Sequence, residues 1–206
     1  MPEPISDEAL QVAQVVRLKR RVAADELSFL AGSVAAGVVS SLIEEGSLED
    51  QGGQVALTAA GEEARAHGIE AERERLDPVP IEAAYAEFDR HNAELKRIVT
   101  AWQLREDRDG TEPNDHSDAA YDEGVVARLR ALDGEFESVL ADLVARVPRL
   151  GAYGPRFATA LGRIEDGDRR YLASPLLDSY HTIWFELHEE LYELRGVDRR
   201  SAEAAE

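Results

Sequence analysis

Apolar residues recur along most of this chain at intervals of three and four, the spacing of an amphipathic helix. Residues 7–20 show this pattern first, with a broad apolar face that predicts a helix. A shorter pattern predicts a second helix over 23–31, with Gly32 as its stop. Ser33 is placed to cap a third helix, which ends at Gly46.

Two short segments that follow are typical of strands rather than helices. Residues 47–50 and 54–57 flank Gln51-Gly52-Gly53, a sequence that favours a tight hairpin turn. Thr58 can then cap a further helix over 59–75. The order of predicted elements is three helices, a hairpin and a helix.

Two prolines, Pro78 and Pro80, interrupt the helical pattern and predict a domain boundary. We therefore predict domains over 1–76 and 81–206. A stretch rich in glycine, proline and acids at 105–115 predicts a mobile loop. The other apolar patterns predict helices over 81–105, 117–145, 155–165 and 176–194. The second domain is thus expected to be an all-helical bundle used for ligand binding or dimerisation.

Two motifs in the first domain resemble the winged helix-turn-helix of MarR-type regulators. Leu42-Ile43-Glu44-Glu45-Gly46-Ser47-Leu48 resembles the end of a recognition helix, and Leu57-Thr58-Ala59-Ala60-Gly61 resembles the LTxxG that follows the wing. The resemblance covers roughly residues 10–64. It implies a mainly α protein with a β-hairpin wing, its third helix in the major groove of operator DNA, and a homodimer that reads a pseudo-palindrome.

The expected DNA contacts follow from this placement. Cations near the first helix would contact phosphates, small polar residues would lie on the third helix, and glutamines would lie at the wing. The candidate residues are Arg17, Lys19, Arg20, Arg21, Ser33, Ser40, Ser41, Gln51 and Gln54. The third helix offers no arginine for guanine and no amide for adenine. The alternative is a winged helix that contacts a protein or its own copy.

Composition narrows the function further. The chain has 206 residues, is 44% hydrophobic, and has a formal net charge of −19. Cysteine is absent, which excludes disulfides and thiolate chemistry. No apolar run has the length of a membrane span, and the N-terminus lacks the build of a signal peptide, so we expect a cytoplasmic protein without membrane contact. The acidic balance predicts weak DNA binding unless the protein dimerises.

Aromatic and histidine residues concentrate in a few segments of the second domain. Asp118 and Asp122 are four residues apart and share a helix face, as do His181 and His188 with Trp184 between them. The candidate ligand-binding residues are Trp102, His116, Asp118, Tyr121, Asp122, Tyr180, His181, Trp184 and His188. They are consistent with a pocket for a small-molecule effector, lined by aromatic walls.

Two other interpretations remain open at this point. Asp118, Asp122, His181 and His188 could hold a divalent metal, as a sensor or as a metal-dependent enzyme. Alternatively, these side chains only satisfy one another in a bundle core. Catalytic motifs are absent, which favours a regulator over an enzyme.

The C-terminal end of the chain also resembles GntR-type effector domains. Phe157-Ala158-Thr159-Ala160-Leu161, then Glu165-Asp166-Gly167-Asp168, then His181 follow the order of an alanine-rich helix, an acid-glycine-aspartate turn and a histidine. The spacing departs from that family, so the resemblance implies only His181 as a pocket residue. The sequence as a whole predicts a DNA-binding transcriptional regulator that senses a small molecule.

Overall fold

The protein is mainly α-helical, with a small antiparallel sheet in its N-terminal part. The computed structural model describes residues 5–32, 36–107 and 110–197, without the side chains of residues 36, 106, 107 and 110. Its N-terminal elements are α1 (Asp7–Lys19), β1 (Val22–Ala23), α2 (Leu27–Leu30), α3 (Ala36–Glu44), β2 (Leu48–Asp50), β3 (Gln54–Leu57) and α4 (Ala59–Arg75).

The remaining elements are helices and one hairpin. They are α5 (Pro78–Gln103), β4 (Leu104–Asp107), β5 (Gly110–Pro113), α6 (Ala119–Arg146), a 3-10 helix (Pro148–Ala152), α7 (Tyr153–Glu165), a second 3-10 helix (Arg169–Leu172) and α8 (Tyr180–Arg195). Among the described residues, no helix is both long and apolar enough to cross a membrane.

The N-terminal sheet has the strand order β1–β3–β2, and both pairings are antiparallel. The predicted second helix is present but shorter than 23–31, because Val22 and Ala23 form a strand and α2 spans only Leu27–Leu30. Val22 lies opposite Val55, and both side chains are buried. Burial of this apolar pair against the sheet outweighs the local helical pattern.

The turn into α4 is held by the predicted cap. The Gly61 N–H donates to Thr58 Oγ1 over 3.0 Å, while that hydroxyl donates to the Gly46 carbonyl over 2.6 Å. A Cβ at Gly61 would lie 1.9 Å from the Ser47 carbonyl oxygen, so only glycine fits there. The Leu-Thr-Ala-Ala-Gly motif therefore joins α4 to the start of the hairpin.

The hydrophobic core falls into two clusters. One lies around α1 and the sheet and includes Val12, Val16, Leu27 and Val55. The other fills the helical bundle from α5 to α8. Its centre is a set of ring contacts among Phe88, Phe136, Phe157, Tyr180 and Trp184.

Two predictions in the C-terminal part are wrong in detail. Within the segment 105–115, predicted as a mobile loop, the described residues of β4 and β5 pair antiparallel, with Leu104 opposite Pro113. Glycine and proline mark hairpin turns as well as loops, so the pattern alone was ambiguous. The last helix begins at Tyr180 rather than at 176, because Ser179 caps it by accepting from the Thr182 N–H.

Candidate functional site

The surface formed by α3 and the β2–β3 hairpin, hereafter the α3–hairpin surface, corresponds to the predicted recognition helix and wing. Ser40, Ser41, Gln51 and Gln54 are exposed on it, and Ser33 lies outside the described residues. Gln51 donates to Glu49 over 2.7 Å at the hairpin. The structure therefore leaves the described polar candidates of this surface open to a partner.

This surface is poor in positive charge. The sequence contains no lysine or arginine between Arg21 and Arg65, although eight acidic residues lie in that interval. Three exposed acidic residues lie on or beside this surface. Glu44 is the last residue of α3, Glu45 follows it, and Glu49 is on β2. Contacts to DNA phosphates would have to come from the flanking cations.

Two of the four predicted phosphate-binding cations are engaged inside the protein. Arg17 forms a salt bridge with Glu193 over 3.0 Å. Lys19 Nζ lies 2.8 Å from both Asp178 and Glu186. Arg20 and Arg21 are exposed, and neither forms a salt bridge with another described residue. Among the four predicted cations, Arg20 and Arg21 are therefore the two that can still contact phosphates.

Lys19 belongs to a ring of four charges that joins the end of α1 to the helical bundle. Arg156 donates to Asp178 through Nε and Nη2, at 2.9 and 2.6 Å, and to Glu186 through Nη2. Arg156 is only 1% exposed and Glu186 only 3%. Each cation contacts both carboxylates, so no buried charge of the ring is left without an opposite charge beside it.

The ring also shifts the acid–base equilibrium of Asp178. Burial raises the pKa of its carboxyl, but the hydrogen bonds and charge of Arg156, aided by Lys19, outweigh burial and hold the pKa below the ordinary 3.8. A carboxyl with a lowered folded-state pKa stabilises the fold above its ordinary pKa. That contribution is lost as the pH falls through the lowered value.

A second polar network joins α1 and α4 to α8. Gln14 donates to Glu190 and Glu193 and accepts from Arg65 over 2.6 Å. Arg149 pairs with Glu190 and Glu72. Sequence reasoning missed both networks. One signal was present, because Glu186, Glu190 and Glu193 are spaced to share one face of a helix.

Five of the predicted ligand-binding residues lie together beside the β4–β5 hairpin. His116 Nδ1 lies 3.0 Å from Asp122 Oδ2, and the His116 ring packs against Trp102 with centroids 4.3 Å apart. Tyr121 donates to the Ala101 carbonyl over 3.0 Å, and Asp118 accepts from Arg105 over 3.1 Å. The structure thus brings these residues to one end of α5 and α6.

This end of the bundle carries an open pocket of about 370 Å³, hereafter the His116 pocket. Its lining includes Trp102, Asn114, His116, Arg170 and Ser174. His116 has a left-handed backbone with φ of 59°, which is uncommon for a residue other than glycine. Asp122 and Asn114 both contact Nδ1 of its ring, at 3.0 and 3.2 Å, and no described residue forms a hydrogen bond with Nε2.

Asp118 has a structural role in addition to its place near the pocket. It is the N-cap of α6 and accepts from the Ala120 and Tyr121 N–H groups. We expect Asp118→Ala to lower the free energy of unfolding by about 1 kcal/mol, the usual effect of losing a cap. Urea denaturation measures this, and Asp118→Ser is the control that retains a capping oxygen. Unchanged stability in Asp118→Ala would contradict the capping role.

The other four predicted ligand-binding residues lie elsewhere, on α8. Tyr180 and Trp184 are buried in the aromatic core, where Tyr180 donates to Asp133 and Trp184 donates to Asn92. His188 is buried, and its Nε2 lies 3.2 Å from the Tyr85 hydroxyl. His181 is exposed. These side chains therefore do not complete the His116 pocket.

The predicted metal set is not assembled. Within residues 5–32, 36–107 and 110–197, no three histidine or acidic side chains come together in a way that could hold a metal ion. Asp118 caps a helix, Asp122 holds His116, and His188 pairs with a tyrosine. The spacing correctly grouped these residues on one face of each helix, but it could not show whether the two helix faces pack against each other.

Comparisons with protein-family models, curated proteins and solved structures find no match to this chain.

Proposed function

We propose that this protein is a transcriptional regulator whose N-terminal part is a winged helix-turn-helix that binds operator DNA as a homodimer. The strand order of the N-terminal sheet carries the proposal. Helix, strand, two helices, hairpin and helix follow one another, and β1 pairs with β3 to complete a sheet beside α3. In this arrangement α3 is the helix that enters the major groove and the hairpin lies near the backbone.

The side chains fit a weak, mainly shape-based contact. Gly37, Ser40 and Ser41 are small and exposed, so α3 can approach the groove closely. Serine hydroxyls donate to phosphates without reading the sequence. Arg20 and Arg21 supply the cations. Because so few phosphates would be neutralised, one copy binds weakly and two copies on adjacent half-sites are needed.

The His116 pocket is the proposed sensor site for a small-molecule effector. Its aromatic wall and its histidine, held by Asp122, provide one apolar surface and one polar anchor. The effect of ligand binding there would pass through the bundle to α8. The polar networks connect α8 to α1 and α4.

The charge of the α3–hairpin surface favours a second candidate function. With exposed glutamates and no cation in the interval 22–64, the same surface suits a basic protein partner. In that case the N-terminal part is a winged-helix interaction module, and the protein does not bind DNA.

A DNA selection experiment separates the two functions. Purified protein is incubated with genomic fragments at low salt, and the affinity for selected fragments is measured as a function of salt. We expect the double substitution Arg20→Ala/Arg21→Ala to weaken binding about tenfold or more and to flatten the salt dependence, because two phosphate contacts are lost. Arg17 and Lys19 are left intact because they hold the fold together.

The matched control is Arg146→Ala, which removes an exposed arginine of α6 that pairs with Asp142. Its DNA affinity should equal that of the wild type. Failure to select any fragment at low salt, or an unchanged affinity in the double variant, would refute the DNA proposal. Binding of a basic protein that is lost in Glu44→Lys/Glu45→Lys would then support the interaction module.

A further inference from the structure

A cleft of about 710 Å³ lies between α1, α4 and α8, away from the His116 pocket. Four arginines line it, namely Arg17, Arg20, Arg65 and Arg73. Only two acidic residues, Glu189 and Glu193, share the lining. The arginines of the lining therefore outnumber its acidic residues, in a chain whose net charge is −19.

The four arginines are not equally engaged. Arg17 and Arg65 both pair with Glu193, at 3.0 and 3.1 Å, and Arg65 also pairs with Glu62 over 2.7 Å. The salt bridge of Arg73 is a long contact of 3.9 Å to Glu70. Arg20 forms no salt bridge with another described residue. Arg20 and Arg73 consequently retain donors that an anion can use, since each guanidinium carries five N–H groups.

The backbone at Arg20 is strained. This residue follows the last turn of α1 with φ of 66° and ψ of −40°, outside the left-handed region that side chains tolerate. Glycine is the usual residue after a helix end with positive φ. Strain of this kind concentrates at functional sites. Here it coincides with the placement of a guanidinium at the cleft.

Arg73 lies against Gly196 in the lining of the cleft. Gly196 ends α8 with φ of 67°, and a Cβ at this position would lie 2.8 Å from Arg73 Nη1 and 3.2 Å from Arg73 Cζ. The absence of a side chain at Gly196 thus leaves room for this guanidinium. Ile69 and Tyr192 contribute apolar surface to the same lining, and both are otherwise buried.

We propose that this cleft binds a small ligand that carries a phosphate group. The phosphate oxygens would accept hydrogen bonds from Arg20 and Arg73, and the apolar body would pack against Ile69 and Tyr192. Guanidinium groups match phosphate with two parallel hydrogen bonds, and the cleft has the volume of a small-molecule site. Because α1, α4 and α8 all contribute, the ligand would tie the N-terminal helices to the bundle.

The proposal is tested on the full chain without DNA, so its outcome is independent of the proposed function. Isothermal titration calorimetry and thermal unfolding are recorded with inorganic phosphate, phenyl phosphate, acetate and sodium chloride at matched ionic strength. We expect saturable binding of both phosphates, tighter for phenyl phosphate, and no saturable binding of acetate or chloride. Arg73→Gln should weaken phosphate binding at least tenfold, and Arg146→Gln should leave it unchanged.

Substitution of Arg20 by glycine distinguishes a binding role from a structural one. Arg20→Gly relieves the backbone strain, so the unliganded protein should keep its melting temperature or gain about 2–4 °C. The same variant should lose phosphate binding at least tenfold. Equal responses to phosphate and chloride, or phosphate binding retained in Arg73→Gln or in Arg20→Gly, would overturn the proposal.

Discussion

Arg156→Ala is expected to lower the free energy of unfolding by about 3–5 kcal/mol, the cost of removing one partner from a buried ion pair. Arg156 contacts both Asp178 and Glu186, and Glu186 is only 3% exposed. Without the guanidinium, Lys19 alone faces two carboxylates, and one buried negative charge is uncompensated. Urea denaturation followed by circular dichroism measures the loss.

The control for this substitution is an arginine in a comparable pair at the surface. Arg146 bonds to Asp142 across one helical turn of α6, and both side chains are partly exposed. We expect Arg146→Ala to cost about 0.5 kcal/mol or less, since solvent screens such pairs. Equal effects of the two substitutions would show that burial does not strengthen the ring around Lys19.

Gly61→Ala is expected to destabilise the N-terminal part by about 3 kcal/mol or more, at the upper end of the cost of overpacking. The new Cβ would lie 1.9 Å from the Ser47 carbonyl oxygen and 2.8 Å from the Ser47 carbonyl carbon. Both are backbone atoms at the start of the hairpin, so no rotamer change removes the clash. The α4 helix must move away from β2, which breaks the Thr58 cap.

Another helical glycine provides the matched control. Gly134 lies within α6, and a Cβ there would meet nothing within 4 Å. Gly134→Ala should raise the free energy of unfolding by about 0.5–1 kcal/mol, because alanine favours the helix. Urea denaturation of both variants gives the comparison. A Gly61→Ala variant as stable as Gly134→Ala would mean that Ser47 and α4 are not in close contact.

The polar networks connect the N-terminal helices of the proposed regulator to its helical bundle. Two separate hydrophobic clusters are joined by charged and amide side chains of α1, α4 and α8, among them Gln14, Lys19 and Glu193. Charged contacts are sensitive to competing ions and ligands. An anion that engages the arginines of the cleft would therefore act on the connection itself.

Much of the N-terminal part could be predicted from local pattern. The spacing of apolar residues predicted α1 and α4, and the Gln-Gly-Gly turn predicted the β2–β3 hairpin. The Thr58 cap is also confirmed. These features depend on contacts between residues close in sequence, which leave a readable periodicity. The mainly helical content of the rest followed from the same periodicity.

The elements and sites that were missed depend on distant residues. β1 exists because Val22 meets Val55, and the network residues Arg65, Arg149 and Arg156 meet partners more than 20 residues away along the chain. The basic cluster shows this most clearly. Arg17 and Lys19 suggested a phosphate-binding surface, yet they face glutamates of α8.

The sequence by itself determined where most helices and turns form and which residues share a helix face, whereas the requirement for glycine at position 61 comes from the contact of α4 with Ser47. The tertiary structure alone decided which faces meet. It separated Asp118 and Asp122 from His188, joined His116 to Trp102, and brought four arginines to one cleft. The reason is physical. The periodicity of a sequence indicates which face of a helix a side chain lies on, whereas a site requires several helices to pack with the right faces together.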